Sequence, residues 1–255
     1  METQTKPART ATPPTHQNIL ELRRYLLHPG MREDLIALFD RHLLEGQEEC
    51  GMAVIGQFRD LDRPDDFVWL RGFSDMESRR EALGAFYGGP IWAAHRDKAN
   101  ATMARFDDVL LLRPAEDGSG FALEGAMRPP LNAPEEAVSV HTAFIFPLAP
   151  ERADAFPAYF ATTLLPALVD SGAPSGARFV TEESENTFPR LPVRDKERVF
   201  VWMGRFSDRT EHRAFSLRLH ASPGWMKAMS DGFGGFTNAP LSICRLSPTG
   251  RSLLR

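Results

Sequence analysis

The chain has 255 residues, of which 42% are hydrophobic, 10% aromatic and 25% charged. This is the composition of a folded globular protein with ample material for a buried core. Thirty Lys and Arg against 34 Asp and Glu give a net charge of −4, which excludes a general nucleic-acid binder, since phosphate contacts call for a basic excess. No apolar run reaches the roughly 18 residues of a membrane span, and two cysteines, Cys50 and Cys244, make neither a disulfide framework nor a Cys-x-x-Cys metal site. Idle thiols of this kind fit a reducing compartment, and a cytoplasmic location is expected.

Residues 1–16 are rich in Thr, Pro and Ala and lack an apolar signal core, so they read as a disordered leader. Ile19–Leu27 reads as a strand and His28-Pro29-Gly30 as a turn. Met31–Glu48 carries Leu35, Ile36, Leu38, Phe39 and Leu43 at helical spacing, with Glu33 and Asp34 where the helix dipole favours acids. Met52–Arg59 and Phe67–Phe73 read as strands flanking an Asp-Arg-Pro-Asp turn. Ser74-Asp75-Met76-Glu77 has the form of a capping box for a second helix, which Gly88-Gly89-Pro90 interrupts before Ile91-Trp92. Val109–Arg113 is a fourth strand, closed by Pro114.

The same landmarks recur. Phe67-Val68-Trp69 and Phe73-Ser74-Asp75 return as Phe200-Val201-Trp202 and Phe206-Ser207-Asp208, 133 positions on, and Pro90 and Trp92 keep that offset to Pro223 and Trp225. Pro29, Phe39 and Gly51 match Pro150, Phe160 and Gly172 at an offset of 121. The difference falls in Thr181–Arg198, a long charged surface loop where the first copy has only Arg59–Asp66. Each copy reads β-α-β-β-α-β, the ferredoxin-like order, and one such sheet needs a second to cover its open face. The expected fold class is therefore α+β: two tandem ferredoxin-like units packed sheet to sheet as an internal α+β barrel. The expected domains are a first unit over 17–114, a Gly- and Pro-rich linker over 115–137, a second unit over 138–248 and a tail over 249–255. Phe121, Leu123 and Met127 are candidates to dock the linker. The expected assembly is a monomer with an internal pseudo-dimer, or a homodimer if sheet edges stay open.

Leu20-Glu21-Leu22-Arg23-Arg24-Tyr25, Pro29-Gly30, Trp69 with Phe73-Ser74, Pro90-Ile91-Trp92 and Leu111-Leu112-Arg113-Pro114 resemble the NIPSNAP family of the dimeric α+β barrel superfamily. The second copy keeps the Trp, Phe-Ser-Asp and Pro-Gly-Trp landmarks, but Glu21-Leu22-Arg23 becomes Thr142-Ala143-Phe144 and the closing Arg-Pro is lost. The resemblance implies a tandem NIPSNAP-like protein. More distant barrel relatives include cofactor-free monooxygenases, isomerases and haem enzymes, activities that a shared fold does not transfer.

Strand alternation puts Glu21, Arg23 and Tyr25 on one face and Leu20, Leu22 and Leu26 on the other. Phe67, Trp69 and Arg71 share a face of the third strand. With the apolar face laid on the helices, the polar set points into the space between the sheets, opposite Phe144, Phe146 and Trp202 of the second copy. Such a cavity suits a small, partly apolar anion or carbonyl compound, bound by Arg23, Tyr25, Trp69 and Arg71, with Glu21, Arg23 and Tyr25 as catalytic candidates. The opposing reading makes Glu21 and Arg23 a structural ion pair and Trp69 core. The seven histidines show no zinc spacing, and no metal or cofactor is expected. Three functions stay open: a small-molecule binding protein, a cofactor-independent monooxygenase or isomerase, and an interaction module using the Thr181–Arg198 loop.

Overall fold

The computed structural model describes residues 17–131, 133, 138–237 and 239–255. The expected leader, and residues 132 and 134–137 of the expected linker, lie outside the described residues. The first half runs β1 (Ile19–Leu27), α1 (Arg32–Leu38), α2 (Leu44–Glu49), β2 (Ala53–Asp60), β3 (Asp66–Phe73), α3 (Met76–Tyr87), α4 (Pro90–Thr102) and β4 (Met103–Pro114). The second runs β5 (Val140–Leu148), α5 (Phe156–Tyr159), α6 (Leu165–Asp170), β6 (Ala177–Thr181), β7 (Arg198–Phe206), α7 (Arg209–Ala221), α8 (Pro223–Lys227) and β8 (Ser242–Pro248). A π-helical turn joins α1 to α2 at Phe39–Leu43, and another joins α5 to α6 at Phe160–Leu164.

Local chemistry accounts for most boundaries. Asp75, one residue after the expected Ser74, caps α3 by accepting a bond from the Ser78 N–H at 2.7 Å. Pro90 sits in the first turn of α4, where its missing N–H costs nothing. Between the two helices the chain turns so tightly that a Cβ on Gly88 or Gly89 would fall 2.9 and 2.7 Å from the carbonyl oxygens of Gly84 and Ala85. β4 begins at Met103 rather than Val109, because its first residues pair with Leu26 and Leu27 through an irregular register while staying largely exposed. A strand exposed in this way has no apolar alternation to reveal it.

All eight strands close into one antiparallel barrel in the order β1-β3-β2-β8-β5-β7-β6-β4. Two short ladders join the halves: Phe58–Asp60 of β2 on β8, and Leu112–Pro114 of β4 on β6. The barrel interior is a packed apolar core. Leu20, Leu22, Val68 and Leu110 from one side meet Ile145, Val201, Met203 and Leu246 from the other, and Phe121, Leu123 and Leu254 pack against them. Two further cores lie outside the barrel wall, one between each half's strands and its own helices.

The orientation expected for β1 is therefore reversed. Leu20 and Leu22 point into the barrel, Leu26 is exposed, and Glu21, Arg23 and Tyr25 face the helices. An eight-stranded barrel has an interior just wide enough for side chains to fill, so the purely apolar face goes inside. Alternation alone fixes two faces without saying which is inner. The linker and tail are also built in. Arg128 binds Glu48 at 2.5 Å and the Arg251 carbonyl at 2.6 Å, and Thr249 N–H donates to the Gln57 carbonyl at 2.9 Å. Met127, in contrast, is exposed.

Candidate functional site

β1 and β3 pair so that Glu21 lies opposite Arg71 and Arg23 opposite Trp69. Both rows project into the layer under α1–α4. There the Glu21 carboxylate binds three guanidinium groups: Arg23 Nη1 at 2.5 Å and Arg71 Nε at 2.7 Å on Oε2, and Arg79 Nε from α3 at 2.7 Å on Oε1. All four side chains are fully buried. The cluster therefore holds two more positive charges than negative ones, a costly state away from water. The Nη2 atoms of Arg23, Arg71 and Arg79 find no hydrogen-bond partner among the described residues, and neither does Trp69 Nε1. Buried N–H groups are ordinarily paired, so four orphans in one cluster call for a reason.

Around the cluster stands a ring of aromatic and amide groups. Arg23 Nε donates to the Tyr25 hydroxyl at 2.9 Å. Arg71 Nη1 donates to Gln47 Oε1 at 3.2 Å and to the Tyr87 hydroxyl at 3.3 Å. The guanidinium carbons of Arg23 and Arg71 stand 5.4 and 5.1 Å from the centre of the Trp69 ring, within cation–π range. Next to these groups lies a cavity of about 30 Å³ lined by Tyr25, Phe39, Gln47, Trp69, Tyr87 and Trp92, among others. That volume takes one or two waters. Phe39 and Leu43, the ends of the first π-helical turn, form part of its wall, a placement common for such turns near functional sites.

Electrostatics separates the roles of the two acidic groups. Burial works to raise the Glu21 carboxyl, but Arg71, Arg23 and Arg79 together outweigh it and hold the group well below the usual carboxylate range. An anion held so firmly is a counter-ion and a very weak base. Tyr25 goes the other way. Burial is its largest influence and raises the phenol despite Arg23, so it keeps its proton and its hydroxyl stays a donor whose oxygen is polarised by Arg23.

The expected set is only partly brought together. Glu21, Arg23, Tyr25, Trp69 and Arg71 form one cluster, joined by Arg79, Gln47 and Tyr87, which sequence reasoning did not select. Phe144, Phe146 and Trp202 face the helices of the second half, in a separate core on the other side of the barrel. Among the described residues, the space between the sheets that was expected to hold a ligand and unite the two groups is the packed barrel interior. In the second half the register sets Thr142 opposite Gly204 and Phe144 opposite Trp202. There is no charge in those positions, and Trp202 Nε1 is satisfied by the Ser175 carbonyl at 2.8 Å. Nothing in the sequence singles out Arg79, because its place in the cluster depends on how α3 sits on β1.

Residues 20–117 match the NIPSNAP family model. The first half carries a NIPSNAP domain. The charged cluster and the aromatic ring thus belong to the NIPSNAP domain, with the cavity beside them. No curated protein matches the chain. Among solved structures, the chain is similar to a candidate monooxygenase from Lactobacillus acidophilus NCFM, 11% identical over 93% of this chain and 98% of that one, with a TM-score of 0.52. It is also similar to a candidate monooxygenase from Fusobacterium nucleatum, 7% identical over 92% and 93%, TM-score 0.53. A third likeness is to an anthrone oxidase-like protein, 11% identical over 91% and 92%, TM-score 0.55. At these identities the likeness is one of fold. It places the NIPSNAP domain and the second half together in an α+β barrel of the type those proteins share.

Proposed function

We propose that the protein binds a small organic anion with an apolar body in the layer between the first half's strands and helices. The carrying observation is the buried excess of two positive charges, with four unpaired N–H groups, beside an apolar cavity. An anion there offsets the charge that Glu21 leaves uncompensated. Tyr25 and Tyr87 supply hydroxyl donors, and Phe39, Trp69 and Trp92 supply apolar walls. A ligand larger than water enters by displacing the half-buried Trp92 at the rim. The test is a tryptophan-fluorescence titration with benzoate and with benzyl alcohol, its uncharged near-isostere. Benzoate binds the more tightly by about tenfold or more, and Tyr25→Phe or Arg23→Ala removes that preference. Equal affinities for the two probes would refute the reading.

A second reading is favoured by Tyr25 itself. A phenol kept protonated by burial and polarised by a buried arginine suits stabilisation of an enolate or phenolate as its charge develops. The site would then serve a cofactor-independent isomerase or monooxygenase, the latter using dioxygen as oxidant. Glu21 is not the base in that scheme. The structural neighbours are compatible with it and carry no substrate over.

We also infer that the chain is an internal duplication, a tandem pair of ferredoxin-like units. The matched π-helical turns and the matched strand registers support this. With every described strand paired on both sides, the barrel leaves no edge for another copy to extend, which favours a monomer. The 182–197 loop is turned inward on the first half, which weighs against its use as a free interaction surface.

A further inference from the structure

The connection from β6 to β7, residues 182–197, belongs to the second half by sequence and packs on the first. Its ends are stitched to β4: Glu182 N–H donates to the Leu111 carbonyl and Arg194 N–H to the Val109 carbonyl, each at 2.9 Å. Its middle presses on α3. Asn186 Oδ1 accepts from Arg79 Nη1 at 3.0 Å and from its neighbour's N–H, Phe188, at 3.1 Å, while its Nδ2 donates to the Leu191 carbonyl at 2.9 Å. Thr187 Oγ1 donates to the Met76 carbonyl at 3.1 Å. The Phe188 ring lies 6.0 Å from Tyr87, and Leu191 and Val193 rest on the same apolar core.

Two groups of the first half's site are thereby held from outside. Arg79 is fixed at both ends of its guanidinium, by Glu21 through Nε and through Nη1 by Asn186 and, at the longer distance of 3.4 Å, by Thr187 Oγ1. Tyr87 is packed between Phe188 and Trp92, with Arg71 on its hydroxyl. Neither anchor comes from the NIPSNAP domain. The second half has filled its own equivalent layer with Phe144, Phe146 and Phe200, so nothing in it competes for the same ligand.

We propose that Asn186 and Phe188 are positioning residues for the first half's site: the second half carries Thr142, Phe144 and Gly204 where the first has Glu21, Arg23 and Arg71, and it braces the first. The proposal rests on the anion-binding reading and adds to it a dependence on residues outside the domain. Loss of the Asn186 acceptor leaves Arg79 Nη1 only its longer bond to Thr187 Oγ1 at 3.4 Å and loosens the hold on the guanidinium opposite Glu21. Loss of the Phe188 ring frees Tyr87 to rotate toward solvent.

The four tryptophans report this directly, because Trp69 and Trp92 lie in the first half and Trp202 and Trp225 in the second. Their indole N–H signals are recorded by ¹H–¹⁵N NMR on the full chain, each assigned with its Trp→Phe variant. In Asn186→Ala and Phe188→Ala, the Trp69 and Trp92 signals shift while Trp202 and Trp225 hold still. Glu185→Ala, at an exposed position in the same loop, shifts none. Benzoate affinity falls about five- to tenfold in both variants, and Phe188→Tyr restores it to within about twofold. Unmoved first-half signals, movement of all four together, or movement confined to Trp202 and Trp225 would each overturn the proposal. So would shifted signals with unchanged benzoate affinity. Should benzoate fail to bind the parent protein, the anion-binding reading falls, and the indole pattern alone decides whether the second half braces the first.

Discussion

Replacing Glu21 with Gln removes the single negative charge from a cluster of three buried arginines. The structure sets the size of the effect. Three ionic hydrogen bonds, at 2.5, 2.7 and 2.7 Å, converge on one fully buried carboxylate. Glutamine offers one neutral oxygen in place of two charged ones, and its amide hydrogens face donors. Removing one partner of a buried ion pair costs roughly 3–5 kcal/mol, because the remaining charge stays buried and uncompensated. Against a total stability of about 5–15 kcal/mol this is a large share, and the urea midpoint falls by roughly 1–2 M. The assay is urea unfolding at pH 7 followed by tryptophan fluorescence. Acid behaviour adds a second readout. The Glu21 carboxyl lies below its ordinary value of 4.5 when folded, so its contribution is full above that pH and drains as pH falls below it, where the unfolded chain takes up a proton first. Glu21→Gln therefore shows a shallower loss of stability in acid. A cost under about 1 kcal/mol at pH 7 would show instead that water or another anion already shields the arginines and that Glu21 is not their counter-ion.

Burial, with a smaller contribution from Arg205, pushes the His141 imidazole down to about 3 from 6.5. The folded protein keeps it neutral while the unfolded chain protonates, so stability falls by up to about 1.4 kcal/mol per pH unit as pH drops from roughly 6 toward 4. His141→Leu flattens that part of the profile of urea midpoint against pH, and an unchanged slope would contradict the assignment. Phe146→Ala empties a fully buried position in the second half and costs roughly 3–5 kcal/mol, yet leaves benzoate affinity within about twofold; a large affinity loss would show that the second half touches the ligand. Gly176 has φ +69°, and a Cβ there would fall 2.4 Å from Trp202 Nε1. Gly176→Ala therefore breaks the Trp202–Ser175 bond and lowers stability by roughly 2 kcal/mol or more, read as a lowered Tm.

The sequence carried the element order because the apolar periods are strong and the Gly, Pro and Asp punctuation is local. β1 and the interruption at Gly88-Gly89-Pro90 followed directly. That the β1 and β3 residues share one face was also legible, because alternation groups Glu21, Arg23, Tyr25, Trp69 and Arg71 whichever way the face points. Three things were not. The direction of that face depends on barrel closure, a property of all eight strands at once. Arg79 and Tyr87 join the site only through the angle at which α3 crosses the sheet. The Thr181–Arg198 loop, charged and proline-containing, has the composition of solvent-exposed chain, and its inward side-chain contacts rest on Asn186, Thr187, Phe188, Leu191 and Val193, too few to raise a periodic signal.

A crystal structure with 4-bromobenzoate, located by the anomalous scattering of bromine, shows whether an anion with an apolar body enters the first half's cavity. Bromine is expected in the cavity lined by Phe39, Trp69 and Trp92, with the carboxylate toward Tyr25 and Tyr87. Bromine inside the barrel, in the aromatic layer of the second half, or nowhere at a concentration that saturates the protein in solution would contradict the anion-binding reading.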